Sequence, residues 1–235
     1  MVERGLADSR TRAQALILAG RVYAGEEKVD KPGTSIDPGA SLTVRQALPY
    51  VSRGGLKLEA ALDRFGIDPE GAVCLDVGAS TGGFTDCLLK RGAIRVYAVD
   101  VGYGQLDWGL RNDPRVTVLE RTNFRTISPE MLPRDMDLAV VDVSFISLKL
   151  IFPRLKLFLR PSAAVVLLVK PQFEAGRGKV GKGGIVRDPA VREEALRAVL
   201  GSAVEEGFSV LETMESPVKG SGGNIEYLVY MKVRG

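Results

Sequence analysis

Apolar residues follow two different rhythms along this chain, and the change falls near residue 50. Ahead of it they are sparse. Ala13, Leu16 and Ile17 share one face of a helix that Asp8 or Ser9 can cap and that Gly20 ends. Short strand-like pieces follow at Val22-Tyr23, Lys28-Val29 and Ser41 to Val44, with a Lys31-Pro32-Gly33 turn before the last. Residues 1–48 thus predict a small α-then-β unit that buries little core of its own. Residues 45–52 connect it to the rest, with Pro49 stopping regular structure and the linker proper placed at 49–52.

From residue 53 to 235 helical and strand periods alternate. The pattern predicts a helix over 53–65, the strand Val73 to Val77, a helix over 82–91, and strands over 94–100, 115–119 and 137–142. A helix over 147–159, a strand over 163–170, a helix over 188–206 and strands over 208–214 and 225–232 complete it. Apolar strands alternating with helices predict a Rossmann-like, doubly wound α/β sheet, mostly parallel and covered on both faces. Only Pro217 and the turn Gly220-Ser221-Gly222-Gly223 separate the last two strands. That is too short for a crossover, so the last strand must run antiparallel.

Composition removes several chemistries. The chain of 235 residues has no histidine, which excludes Ser-His-Asp and Cys-His catalysis and histidine-ligated metals. Its two cysteines, Cys74 and Cys87, fall inside a strand and a helix, where packing is the expected role, in a reducing cytoplasm; no metal site is expected. Any general base is therefore Asp, Glu, Lys or Tyr. No apolar run is long enough to span a bilayer, and the N-terminus has no signal-peptide pattern, so no membrane partner is expected. Net charge is only +3, but basic residues gather before residue 60 and again between Arg177 and Arg187.

In an open α/β sheet the ligand binds beyond the carboxyl ends of the strands, at the switch point. The first strand there ends at Val77, and Gly78, Ala79, Ser80, Thr81, Gly82 and Gly83 turn the chain into a helix that Phe84 enters. The spacing G-x-x-x-G-G is not the dinucleotide fingerprint, and no Walker lysine follows. A ligand with an adenosine end and no pyrophosphate fits. Asp100, about twenty residues on, can accept both ribose hydroxyls; Asn123 can meet an adenine edge, and Asp76 orients the loop. Together these predict S-adenosyl-L-methionine.

The same edge collects a second set. Asp142 ends the fourth strand and Lys170 the fifth, where Pro171 keeps it extended. Glu226 begins the antiparallel strand, and Lys57 lies early in a helix that starts at this edge. A ribose 2′-hydroxyl is a poor nucleophile that needs a base and in-line placement against the sulfonium methyl. Two lysines between two acids can share protons, and a neighbouring cation can push one lysine toward neutrality. Lys170 is read as the base, held by Asp142, with Lys57 and Glu226 fixing the hydroxyl.

The N-terminal Arg4-Gly5-Leu6-Ala7-Asp8-Ser9-Arg10, with Ala13, Ile17 and Ala19-Gly20-Arg21-Val22, resembles the S4-like RNA-binding domain of ribosomal proteins. That domain normally opens with an Arg-Leu-Asp helix; here, with Met1-Val2-Glu3 at the start, that helix is expected to be missing. The segments Ser52 to Leu58, Asp76 to Thr85, Asp142-Val143-Ser144-Phe145, Lys170-Pro171-Gln172-Phe173-Glu174 and Asn224-Ile225-Glu226 resemble the TlyA family. This family has the hemolysin name but consists of FtsJ-like ribosomal RNA 2′-O-methyltransferases. The resemblance implies a Lys-Asp-Lys-Glu tetrad at the positions above. It also implies cytidine hydroxyls of ribosomal RNA or whole subunits as substrate, and antibiotic sensitivity to ribosome-directed cyclic peptides.

Arg4, Arg10, Arg12, Arg21 and Arg53 are read as RNA-binding, as are Arg177, Lys179 and Lys182 in a glycine-rich loop whose cations can track phosphates. Tyr103 and Phe145 can stack on a splayed base, or Phe145 can pack in the core. Two other readings compete: a membrane-active hemolysin, which lysis of red cells without cofactor would support, and an RNA-binding module with a vestigial methyltransferase domain, which failure to bind cofactor would support.

Overall fold

The computed structural model describes residues 1–235 except 19, 45–47, 177 and 235. The first part of the connector and Ala19 of the S4-like motif therefore lie outside the described residues. The chain divides into two compact units, Met1–Leu48 and Pro49–Gly235.

In the first unit, helix α1 (Arg10–Leu18) is capped by Ser9, whose Oγ accepts the Arg12 amide at 3.1 Å, which decides between the two caps offered by the sequence. Gly20 follows in the left-handed region at φ 65°. Strands β1 (Val22–Ala24), β2 (Glu27–Lys28) and β3 (Leu42–Val44) form an antiparallel sheet in the order β2-β1-β3. Ala13, Leu16, Val22 and Val29 make its small core.

Near the start of the second unit Tyr50 is buried with its hydroxyl donating to Glu59 at 2.7 Å, and the Val51 amide donates to Asp86 at 2.9 Å. Helix α2 (Arg53–Phe65) follows, capped by Ser52 and stopped by Gly66. Then come β4 (Val73–Val77), α3 (Gly83–Lys90), β5 (Arg95–Val99), α4 (Trp108–Arg111), β6 (Val116–Leu119) and β7 (Met136–Val141). The chain continues through α5 (Phe152–Leu155), β8 (Leu159–Val169), α6 (Pro171–Glu174), α7 (Pro189–Glu205), β9 (Phe208–Glu215) and β10 (Tyr227–Val233). The seven strands are ordered β6-β5-β4-β7-β8-β10-β9, parallel except β10, which is antiparallel to both neighbours. Chain direction across the sheet reverses between β4 and β7, which opens the switch point there.

Period-two alternation sorts the strand residues into two cores. Leu75, Val77, Ala139, Val141, Val165 and Leu167 face Phe152, Phe158 and Val199 on one side. Cys74, Leu138, Val140 and Val166 face Leu58, Leu62 and Leu88 on the other. Burial pushes the thiols of Cys74 and Cys87 up to about 12, as suits packing side chains. No helix among the described residues is long and apolar enough to cross a membrane.

Two elements depart from the pattern. The helix expected over 147–159 is broken into 3-10 turns at Leu148–Leu150 and Lys156–Phe158 around the short α5. Pro153 accounts for it: a proline fits a helix's first turn but not its interior. Strand β8 begins at Leu159 rather than 163. Met136 pairs with Leu159 and Leu138 with Ala164, so residues 160–163 bulge opposite Asp137, with Ser162 at φ 63°.

Candidate active site

The register of the sheet brings the ends of four strands to one edge, with β8 running to Val169 past its last pairing with β7 at Leu167. Val77 pairs with both Val99 and Val141, and Tyr227 pairs with Val169, so Gly78, Asp142, Lys170 and Glu226 all stand just past the last paired residues of one edge. Gly78 (φ 86°) has no room for a Cβ, which would strike the Asp142 carbonyl; only glycine lets the two strand ends approach so closely. The Gly78 and Ala79 amides both donate to Val99, at 2.8 and 3.2 Å. Gly83 is likewise packed against Ser52 and Gly55, setting the start of α3 on the start of α2.

Asp76 faces neither cleft described below. It is wholly buried, accepts the Thr85 hydroxyl at 2.6 Å and leaves its Oδ1 without a partner among the described residues. Burial pushes its carboxyl up to about 7, with the charges of Asp142 and Asp100 adding to this and the Thr85 bonds opposing it. An acid whose folded pKa exceeds its ordinary 3.8 holds its proton more tightly when folded, so its contribution to stability is lost as pH rises toward 7. Wild-type protein should therefore lose melting temperature from pH 5 to 8 relative to Asp76→Asn, which cannot ionise. Parallel thermal melts of the two proteins check it; a gap that is flat or opposite in sign contradicts it.

Two clefts open at this edge. The larger, about 680 Å³, is lined by Val77, Gly78, Ser80, Asp100, Asn123 and Ile146, among others. The carboxylate of Asp100 is aimed by backbone donors: the Ser80 amide meets Oδ2 at 2.8 Å and the Gly102 amide meets Oδ1 at 2.6 Å. Asn123 uses its carboxamide oxygen to cap the turn at Phe124, accepting the Arg125 amide at 3.1 Å, so its amide nitrogen is the group that remains for a purine.

The smaller cleft, about 290 Å³, is lined by Arg53, Lys57, Thr81, Phe84, Lys170 and Lys219, among others, and shares Gly78, Ser80, Asp142 and Ser144 with the larger. Here the tetrad resolves into two ion pairs. Lys57 Nζ lies 2.5 Å from Glu226, with the two side chains 11% and 2% exposed. Lys170 Nζ lies 2.6 Å from Asp142 Oδ1 and donates to Ser144 Oγ at 2.8 Å. The Asp142 contact has the distance of an ion pair without the alignment of a hydrogen bond. Glu226 sits beneath Lys57 and is not itself part of the cleft wall. Gly82 lines neither cleft; Leu106 and Leu110 occupy the space a side chain would need there.

The residues read as RNA-binding are scattered in role. Arg4 donates to the carbonyls of Ala40, at 2.7 Å, and Pro38, so its guanidinium ties the first unit together. Arg10 and Arg12 are exposed on α1, Arg21 is half-buried, and Arg53 lines the smaller cleft. Lys179 is paired with Glu194 at 2.6 Å, Lys182 is exposed, and Arg177 lies outside the described residues. Phe145 is 90% exposed at φ 63°, which rules out the core role, and its ring meets Phe173 at 4.8 Å. Tyr103 is exposed with the Arg121 guanidinium 4.1 Å over its ring. Sequence reasoning missed Ser144, which holds Lys170, and Lys219; no periodicity marks either one.

A mostly parallel sheet with one antiparallel strand inserted beside its end, and a glycine loop facing an acid-tipped second strand, define a Rossmann-like methyltransferase. The FtsJ-like methyltransferase family matches residues 50–233, and an S4 domain matches residues 1–42. Among similar proteins is the 16S/23S rRNA (cytidine-2′-O)-methyltransferase TlyA of Mycobacterium tuberculosis, 48% identical over 236 residues that cover 100% of this chain and 88% of that protein. Hemolysin A of Brachyspira hyodysenteriae is 47% identical over 227 residues, covering 96% and 95%. A solved hemolysin-named structure from Streptococcus thermophilus superposes with a TM-score of 0.80 at 47% identity, covering 99% of this chain and 86% of that one. The chain belongs to the TlyA family of FtsJ-like methyltransferases, whose methyl donor is S-adenosylmethionine.

The larger cleft fits that donor. Gly78 and Ser80 line its floor, and Asp100 in its wall has both oxygens pre-aimed by amides while keeping lone pairs for ribose hydroxyls. Asp100→Ala should weaken S-adenosylmethionine binding about ten- to a hundredfold, the worth of a charge-assisted hydrogen bond pair. Calorimetric titration measures it, and unchanged affinity would place the ribose elsewhere.

Proposed function

We propose that this chain transfers a methyl group from S-adenosylmethionine to the 2′-hydroxyl of a cytidine in ribosomal RNA. The observation that carries this is the pair of ion pairs, Lys57–Glu226 and Lys170–Asp142, at the place where a donor-sized cleft opens into a smaller cationic one. Asp100, Gly78, Ser80 and Asn123 would hold the donor, which supplies a methyl on a positively charged sulfur and departs as a neutral thioether.

Lys170, acting from its neutral amine form, takes the hydroxyl proton as the ribose oxygen bonds to the methyl carbon and the carbon–sulfur bond breaks, and Asp142 stabilises the ammonium that results. Ser144 holds Lys170 in place. Lys57, anchored on Glu226, donates to the ribose oxygens and keeps the hydroxyl in line with the methyl. Arg10 and Arg12 of the S4 domain, with Arg53 and Lys182, would grip RNA phosphates. The names of the relatives supply the cytidine and the ribosomal RNA; the arrangement of two lysines and two acids suits a hydroxyl acceptor. The test is incorporation of labelled methyl into unmodified ribosomal subunits. Label in RNA supports the reading; cofactor binding with no label in either subunit's RNA overturns it.

A further inference from the structure

The charges in the smaller cleft do not cancel. Lys57 and Lys170 are each matched by a carboxylate, but Arg53 and Lys219 also line the cleft. Among the described residues neither of these two makes an ion pair or a side-chain hydrogen bond. A cleft with a neutral catalytic set and surplus cations in its wall is matched to an anion that arrives with the substrate. Lys219 is the less obvious of the two, because it comes from the short strap between β9 and β10 rather than from a recognisable basic segment.

That strap is a built support. Ser216 bonds through its amide to Glu226 at 2.8 Å and through its hydroxyl to Val218 at 2.9 Å. The Gly220 amide donates to Asn224 at 2.9 Å, and Gly220 sits so close to the Glu226 carboxylate that a Cβ there would strike it. Asn224, 3% exposed, spends its whole carboxamide on anchoring. Its Nδ2 donates to Ser221 at 3.1 Å and Gly184 at 2.9 Å, while its Oδ1 accepts the Val186 amide at 3.0 Å. The strap thus lies over the tetrad, fixed at both ends, with the exposed Lys219 side chain at the cleft wall.

We infer that Lys219 is a substrate-phosphate site, contacting the phosphodiester that flanks the reacting ribose. This rests on the RNA reading above. Lys219 is a positioning residue and touches no reacting atom. A ribose presented to Lys170 must bring its own phosphates to the rim of the same cleft, and an ammonium held there fixes the nucleotide's register without reading its base.

The test is steady-state methyl transfer to unmodified ribosomal subunits at saturating S-adenosylmethionine, repeated over a range of potassium chloride concentrations. Lys219→Ala should raise KM for RNA about fivefold, as for one solvent-facing ion pair. It should also flatten the dependence of log(kcat/KM) on log[salt] by about 0.7 to 0.9, the value of one phosphate contact. The kcat at saturating RNA and the affinity for S-adenosylmethionine should stay as in the wild type, and Lys219→Arg should restore the salt slope. An unchanged KM and slope, or a loss that appears in kcat or cofactor affinity instead, overturns the inference. Wild-type protein that labels no RNA overturns the functional reading and this inference with it, so the two failures are told apart by the wild-type lane.

Discussion

Lys170→Ala should abolish methyl transfer, with kcat falling about 10²- to 10⁴-fold, the usual range for removing a positioned proton acceptor. Affinity for S-adenosylmethionine should be little changed, because Lys170 lines the smaller cleft and not the larger. Lys170→Arg separates two roles for the residue. Arginine keeps the charge and can pair with Asp142, but it has no accessible neutral form to accept a proton. If Lys170 is the base, Arg is as inactive as Ala; if it is only a fixed cation, Arg recovers most of the rate. Single-turnover rates of the three proteins at saturating cofactor and RNA decide it.

Glu226→Ala should destabilise the protein by about 3–5 kcal/mol, the range for stripping one partner from a buried ion pair. Lys57 would then sit at 11% side-chain exposure with no carboxylate beside it, and water has little access to take over. Removing both charges together, Lys57→Met with Glu226→Leu, should recover most of that stability, since a buried pair and a packed apolar pair are often close in energy. It should not recover activity. Denaturant unfolding of the three variants measures the stability, and methyl transfer by the double variant measures the rest. A stable Glu226→Ala protein would mean that the 2.5 Å contact carries little, and an active double variant would remove both residues from the site.

Most of the second unit is legible in the chain because each central strand is a run of buried residues bounded by a polar or glycine turn. Val73–Val77 ending on Gly78, and the stretch up to Asp142, carry direction as well as type, and direction alone brings Asp142, Lys170 and Glu226 to one edge. The direct contact of Lys57 with Glu226, 169 residues apart, is not legible: topology gathers four groups at an edge and the sequence reading sets Asp142 on Lys170, but only packing of α2 against the sheet buries Lys57 Nζ against the Glu226 carboxylate. Short elements escape for a different reason. α4 and α6 have four residues each, too few to show a period, and Pro153 breaks a helix whose apolar spacing continues through it.

Charge is the least legible property. Arg4 and Lys179 look like free cations in sequence, yet one is spent on backbone carbonyls and the other on Glu194. Lys219 looks like any loop lysine, and only the anchoring of its strap by Asn224 places it beside the tetrad.

The central claim is that this edge methylates a ribose hydroxyl, and the most direct test is where the methyl ends up. Unmodified ribosomal subunits are incubated with the protein and labelled S-adenosylmethionine, and the RNA is digested to nucleosides and resolved by mass spectrometry. The account predicts label in 2′-O-methylcytidine and none with Lys170→Ala. Label on a base, or equal label with the Lys170→Ala protein, would contradict it.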